Sequence, residues 1–488
     1  MAISDYIVTI GLEVHCQIKT KSKMFCSCET GFGFEPNTRV CPTCLGLPGA
    51  LPVLNEFAIE RTLLTGLMLG CSSPEISQWD RKNYFYPDMA KNYQTSQLDL
   101  PLCLGGEVPL YPWSYPNDVI KAGVPPFRTV KLTRIHLEED AAKITHHANY
   151  SLIDYNRAGS ALMEIVSEPD IDTPEEAYAY LKSLQQILNY GDISDADMEK
   201  GQMRCDVNIS LRPHGQKELG AKVEMKNINS MSAVRRALHY EIQRQAEELD
   251  MGIPQIQSTR RWDDERGESV VMRTKEDAHD YRYFPDPDIP PIIFTEEELA
   301  AIKADIPEMP EQRVARYTGE YGISAADAKV LTDSKRVSDL FENALKAYNN
   351  PKPIGTFIVV ELMRRINLGE LDLDNMKFTA EDLAKLIELA ENGKISKDNR
   401  KIIFREMLET GKKPETIAEE QQLWIKEDNA LLEKTINGIM EANPKAVEQY
   451  RSGETKVFGF LMGQCNKALK GAASPASIKA MLEEKLKG

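Results

Sequence analysis

The stretch "YIVTIGLEVHCQIKT", residues 6–20, alternates apolar and polar side chains with a period of two. Tyr6, Val8, Ile10, Leu12, Val14, Cys16 and Ile18 share one face, and Thr9, Gly11, Glu13, His15, Gln17 and Lys19 share the other. Successive side chains of a strand point to opposite faces, so the pattern predicts a long strand with one face against a core. The other face carries a carboxylate and an imidazole. Two residues apart on one strand, Glu13 and His15 lie about 6.6 Å apart along it, close enough to reach into one site. The competing reading is an ordinary solvated face.

Two further stretches repeat the pattern. In "CDVNISLR", Cys205, Val207, Ile209 and Leu211 alternate with Asp206, Asn208, Ser210 and Arg212; in "KVEMKN", Val223 and Met225 alternate with Lys222, Glu224 and Lys226. Thr173, Pro174 and Glu176 form a capping-box signal for one helix, and a second is expected after Ser232. The run "YRYFPDPDIPP", residues 281–291, cannot continue a helix or a central strand and reads as a boundary. Beyond it, Thr295 with Glu298 and Thr379 with Asp382 sit at capping-box spacing before runs rich in Ala, Leu, Glu and Lys. A chain of 488 residues also exceeds what one core usually organises. The expectation is an α+β protein: a strand-rich domain over 1–291, a helical domain over 292–409, and a helical tail over 410–488 entered through "TGKKPETI" as a linker.

Of nine cysteines, Cys26, Cys28, Cys41 and Cys44 form two close pairs around a short Gly- and Pro-containing loop. That is the layout of four thiolates closing a tetrahedral zinc site, with no open position for chemistry; buried or redox thiols are the alternative. Cys16, Cys71, Cys103, Cys205 and Cys465 are isolated and expected to pack. No signal-like segment or membrane-length apolar run stands out, so the chain reads as cytosolic and without membrane contact. A net charge of -16 excludes a whole-surface nucleic-acid coat and leaves only local basic patches. One such patch is the last stretch, 451–488. There Arg451, Lys456, Lys467, Lys470, Lys479, Lys485 and Lys487 face only Glu454, Glu483 and Glu484, a local charge of +4.

Acidic residues fall where strands are expected: Glu13, Glu138, Glu139 and Asp140 in "HLEED", Glu164 in "ALMEIV", Asp206 and Glu224. Glu164 is flanked by apolar residues on both sides, and a lone carboxylate there would be costly to bury. Each could pair with a nearby base such as Arg157, Arg204 or Lys226, but the group suits a hard cation that takes several oxygen ligands. No Gly-x-x-x-x-Gly-Lys phosphate loop exists, so any nucleotide must be held by carboxylate-bound metal and basic side chains. In "RKNYFYPDMAKNYQ", Arg81, Lys82 and Lys91 interleave with Tyr84, Phe85, Tyr86 and Tyr93. This suits phosphate contact with base stacking, and equally an aromatic core loop.

Taken together, "IGLEVHCQIKTKSKMFC", "CPTCLGLPGALPVLN", "DRKNYFYPDMAKNYQTSQ", "HLEEDAAK", "DYNRAGSALMEIVSEPD", "KGQMRCDVNISLR", "VEMKNINS", "DYRYFPDPDIPP" and the terminal "FGFLMGQCNKALKG" resemble the B subunits of aspartyl/glutamyl-tRNA amidotransferases over essentially the whole chain. The resemblance implies a cradle-shaped catalytic domain followed by two helical ones. It implies an amidase-type A subunit that releases ammonia from glutamine, a small C subunit, and a mischarged Glu-tRNA(Gln) or Asp-tRNA(Asn) as substrate. ATP would phosphorylate the side-chain carboxylate and ammonia would displace the phosphate. On this reading His15, Glu139, Glu164 and Glu224 are magnesium ligands, supported by Glu13 and Glu138. Lys82, Tyr84 and Arg157 meet the nucleotide or tRNA end, and the tail touches the tRNA body. Residues 159–163, Gly-Ser-Ala-Leu-Met, depart from the family's usual Gly-Val-Pro-Leu-Leu, which puts the local loop geometry in question. Two other classes compete: a metal-dependent hydrolase, marked by hydrolysis without ATP or ammonia, and a non-catalytic zinc scaffold for RNA, in which Glu164 and Glu224 would matter only to stability.

Overall fold

The computed structural model describes residues 5–274, 280–425, 429–453, 456–469, 473 and 475–487. Two compact units divide the chain at Pro310. The first is built on a nine-stranded sheet among the described residues. Its main strands are β1 (Tyr6–Gln17), β2 (Arg128–Glu139), β3 (Ala161–Ser167), β4 (Met203–Pro213), β5 (Val223–Lys226), β6 (Ser258–Asp263) and β7 (Glu268–Thr274), in the spatial order β7-β6-β5-β4-β1-β3-β2. Neighbours run antiparallel except β5 and β6.

The period-two face of β1 does what its pattern requires. Ile10, Leu12, Val14 and Cys16 are fully buried and meet Met163, Ile165, Val207 and Ile209 in one core. Helices Glu56–Met68, Pro174–Tyr190 and Met231–Asp250 contribute Leu63, Tyr180, Leu184 and Leu238 to the same core. Each such side chain contributes roughly 1.5–3 kcal/mol through burial, so this face is heavily specified. Thr173 caps its helix by accepting the Glu176 N–H at 3.2 Å. The reciprocal half of the box is absent, because Glu176 turns to Arg128 at 2.7 Å and to the Asp172 N–H at 3.0 Å. The next helix is capped by Ser230, not Ser232.

Residues 281–291 do not end the first unit. Phe284–Pro285 pairs with the strand Asp80–Asn83 as an edge, where proline is tolerated, and Arg81 binds Asp286 and Asp288 just beyond. Helix Glu296–Ala304 then packs on Glu56–Met68, and Ile292, Phe294, Leu299, Ile302 and Met309 join the first core. A boundary at 291 would therefore cut through a core, and the division falls at Pro310.

The second unit is helical, and both expected capping boxes form in the chain, at Thr295–Glu298 before the division and at Thr379–Asp382 within this unit. The unit holds two cores. One gathers Tyr317, Phe341, Phe357 and Phe404 and also takes Ile417 and Ala418; the other gathers Leu432, Ile436, Leu461, Cys465 and Leu482. The segment expected as a linker is a tight turn instead. Gly411, at φ +71°, closes helix Lys397–Thr410, and Pro414 opens the next helix, Pro414–Glu420, against the preceding core. The tail core thus begins near Leu432, not at 410, and the two expected helical domains form one compact unit with two cores. No helix among the described residues is long and apolar enough to cross a membrane.

Behind the end of the sheet, the fully buried Glu241 accepts from Arg244 at 2.6 and 3.0 Å, from Gln245 at 2.9 Å and from Ser269 at 3.0 Å, with Arg260 at 3.6 Å. Removing it takes the ion-pair carboxylate from the half-buried Arg260 and leaves the half-buried Arg244 with Glu248 at 2.7 Å. Glu241→Ala should lower the stability of this unit by about 3–5 kcal/mol in urea unfolding, with Glu241→Gln costing less.

Candidate functional site

The face of the sheet opposite the core is polar, and strand register aligns its charged residues across neighbours. His15 on β1 lies opposite Glu164 on β3, which lies opposite His136 on β2; Glu13 lies opposite Asp206, and Asn208 opposite Glu224. A small three-stranded sheet, Asp80–Asn83, Tyr93–Ser96 and Phe284–Pro285, helps wall this face. Together they line a cavity of about 540 Å³ that includes Glu13, His15, Lys82, Tyr84, His136, Glu138, Glu164, Asp206, Glu224, Lys226, Tyr281 and Tyr283.

At its centre, His15 Nδ1 stands 3.4 Å from Glu138 Oε1 and 3.7 Å from Glu164 Oε2. These three donor groups lie within 4.8 Å of one another, and Nδ1 is buried without a hydrogen-bond partner. Burial opposes a charge on His15, but contact with Glu138 and the charge of Glu164 outweigh it and hold the ring up at about 9. Burial likewise opposes ionisation of Glu164; His136, His15 and Lys82 outweigh it and hold the carboxyl well below its ordinary range. A cationic imidazolium between two carboxylates marks a place built for positive charge. The donor set fits a divalent metal: two carboxylate oxygens suit magnesium, which keeps its remaining positions for water or phosphate, and an imidazole nitrogen adds a donor that manganese also accepts.

Lys82 enters from the small sheet, 4.9 Å above the Tyr281 ring. Burial lowers its pKa, but Glu138, Tyr283 and Glu164 raise it further, so the ammonium keeps its charge. Among the described residues no carboxylate oxygen is in ion-pair contact with it, which leaves this cation available to an incoming anion. Tyr84 lines the same cavity.

Several expected residues are placed elsewhere. Glu139 neighbours Glu138 on a strand and therefore points to the opposite face, where it pairs with Lys91 and accepts the Thr95 N–H at 2.9 Å. It does not join His15. Glu138, expected only as support, stands beside His15 instead. Arg157 is also outside the cavity: it binds the Ala141 and Ala142 carbonyls at 2.9 and 3.2 Å and lines a separate cavity of about 780 Å³ with Gln17, Lys19 and Gln202, without the carboxylate–imidazole cluster. Glu224 lines the shared cavity, but its carboxylate is held by Lys226 at 3.0 Å and Thr259 at 2.8 Å, apart from the cluster. Glu13 accepts from Asn208 at 2.9 Å.

His136 is a site residue that the sequence reading passes over. Arg134 Nε donates to its Nδ1 at 3.4 Å, so the ring proton sits on Nε2, 3.2 Å from Glu164 Oε2. Its signal is parity, since His136 shares a strand face with Glu138. The departure at residues 159–163 leaves Glu164 in register with both histidines.

The four clustered cysteines also come together, with all four sulfurs within 4.8 Å. Cys41 and Cys44 sulfurs are 3.8 Å apart, matching the edge of a tetrahedron with Zn–S bonds of about 2.3 Å. The Cys41 N–H donates to Cys44 Sγ at 3.1 Å. The five isolated cysteines are buried, as expected.

Residues 8–300 match the family described as the GatB/GatE catalytic domain, and residues 339–486 match that described as the GatB domain. The B subunit of the aspartyl/glutamyl-tRNA(Asn/Gln) amidotransferase of Ruminiclostridium cellulolyticum is 47% identical over 483 residues, spanning 99% of this chain and 97% of that protein. The protein of the same name from Thermoanaerobacter pseudethanolicus is 48% identical over 482 residues, 99% of each chain. That from Thermodesulfovibrio yellowstonii is 45% identical over 484 residues, 99% of this chain and all of its own.

The split between neighbouring acids can be tested directly. Glu138→Gln should abolish tight Mn2+ binding, followed by electron paramagnetic resonance, whereas Glu139→Gln should leave that binding within about threefold while lowering stability through the unpaired Lys91.

Proposed function

This chain belongs to the GatB/GatE family, and on that premise we propose that it acts as the B subunit of a tRNA-dependent amidotransferase. Its substrate is the side-chain carboxylate of a mischarged Glu-tRNA(Gln) or Asp-tRNA(Asn), and the reaction is ATP-dependent amidation. An amidase-type A subunit supplies ammonia from glutamine, and a small C subunit completes the heterotrimer, in the cytoplasm. The carrying observation is the His15–Glu138–Glu164 cluster sharing one polar cavity with the half-buried Lys82.

A free carboxylate is a poor electrophile. Transfer of the terminal phosphoryl group of ATP turns one carboxylate oxygen into a leaving group; the ammonia nitrogen then bonds to the carbonyl carbon as the C–O bond to phosphate breaks. Chemistry of this kind asks the protein for positioning and charge neutralisation. His15, Glu138 and Glu164 would hold magnesium, which supplies charge neutralisation to phosphate oxygens. Lys82 meets the same oxygens from the opposite wall, and Tyr84 offers a ring face at the rim. His136 orients Glu164. Glu13, Glu224 and Lys226 line the part of the cavity further along the sheet, where they can contact the aminoacyl end. The four cysteines would hold zinc, which would fix the shape of the loop.

The tail is the second point of tRNA contact. Lys470 and Glu454 lie outside the described residues. Of the other basic residues, Arg451 donates to the Leu486 carbonyl at 3.1 Å and Lys485 pairs with Glu433. Lys456, Lys467 and Lys487 are exposed and available to phosphates.

Glu164→Gln in the assembled heterotrimer should lower ATP-dependent amidation by at least about 100-fold while glutamine hydrolysis persists. Normal amidation would refute the assignment. Truncation after Ile425, which keeps Leu423 and Trp424 on the first helical core, should weaken tRNA binding and flatten its salt dependence in filter-binding titrations.

A further inference from the structure

Lys23 is a lysine with almost no access to water: it is 1% exposed. Its ammonium donates to Cys44 Sγ at 3.6 Å and to the Tyr155 carbonyl at 3.1 Å. Among the described residues no carboxylate oxygen stands within ion-pair distance of it. A buried ammonium without counter-charge is expensive, and a carbonyl supplies only a dipole. The negative charge must therefore come from sulfur. Four thiolates around one zinc leave two surplus negative charges in a small volume, and Lys23 is placed to neutralise part of that excess.

The same residue reaches beyond the cysteines. Its backbone N–H donates to the Cys28 carbonyl at 2.9 Å, and the next residue, Met24, donates to the Gly159 carbonyl at 2.7 Å. Gly159 has φ +82°, and a Cβ there would sit 3.6 Å from Lys23 Cδ and 3.7 Å from Cys44 Cβ. Residues 155–160 lead straight into β3, which carries Glu164.

We propose that Lys23 is the positioning residue of the cysteine site: its buried ammonium pairs with the Cys44 thiolate of the zinc-loaded loop and fastens that loop, through the Tyr155 carbonyl, to the segment that starts the Glu164 strand. This goes beyond the amidotransferase reading and rests on one part of it, the binding of zinc by the four cysteines. Lys23 touches no reacting atom. Its effect is on the tightness of the metal and on the order of residues 155–160.

The test uses the full-length chain, purified with its zinc, and its Lys23→Met variant, which keeps the length of the side chain and removes the charge. Zinc is measured by competition with a chromophoric chelator, and thermal unfolding is followed with and without the metal. Zinc affinity should fall about 10–100-fold, the scale of losing an outer partner of a metal ligand. Lys23→Met should destabilise the zinc-loaded protein more than the metal-free one, because four sulfurs are held together beside the ammonium only when zinc is bound. A merely structural lysine would instead destabilise both forms equally and leave zinc affinity unchanged, which overturns the proposal. If Lys23→Met does not accumulate, Lys23→Gln is read in the same competition. Wild-type protein without zinc would remove the cysteine-site reading as well, and is distinguished from failure of the Lys23 proposal by the wild-type metal content alone.

Discussion

The register of β1 between β3 and β4 is the constraint on which the rest depends. His15 meets Glu164 across one strand boundary and Glu13 meets Asp206 across the other, and a slip of a single residue would turn every one of these groups into the core. What prevents the slip is the back of the sheet. Ile10, Leu12, Val14 and Cys16 are fully enclosed there, so exchanging faces would bury charge and expose apolar surface together. The apolar face thus holds the polar one in place.

Given that register, the electrostatics follow. Carboxylates packed on a sheet would repel one another unless cations stood among them. Here the His15 ring stands 3.7 Å from Glu164 and Lys82 reaches over from the small sheet, while His136 Nε2 lies 3.2 Å from the same carboxylate as a hydrogen-bond partner. Glu164 stays ionised although it is buried, and the arrangement is one that a divalent cation can enter by taking over the role of the imidazolium charge. Glu224 belongs to a second knot of charge with Lys226 and Asp206, further along the same cavity. Two charge centres on one floor suit a substrate carrying phosphate at one end and an aminoacyl group at the other.

The cysteine loop and the helical unit show a different dependence. The cysteine loop has little apolar content to bury, and its geometry comes from four convergent sulfurs and the segment around Gly159. The helical unit relies instead on capped amphipathic helices around two cores, with Gly411 and Pro414 making the turn between the helices that flank them. The helical cores form without the sheet, whereas the cysteine loop leans on it at one point, where Met24 beyond β1 donates to the Gly159 carbonyl just before β3.

Sequence alone determined what is local. Alternation identified β1, β4 and β5, threonine caps identified helix starts, and two cysteine pairs identified a loop on which four sulfurs converge, because each rests on neighbours within a few residues. Family motifs over the whole chain supplied the reaction class. Tertiary structure decided what crosses strands: that Glu138 and not Glu139 joins His15, that His136 stands beside Glu164, that Arg157 belongs to another cavity, and that the proline run pairs with Asp80–Asn83 inside the first unit. The first of these was within reach of strand parity, since adjacent residues cannot share a face. The others depend on which strands become neighbours and at what register, and that is settled by the burial of the opposite face, a property of the whole sheet that no single segment carries.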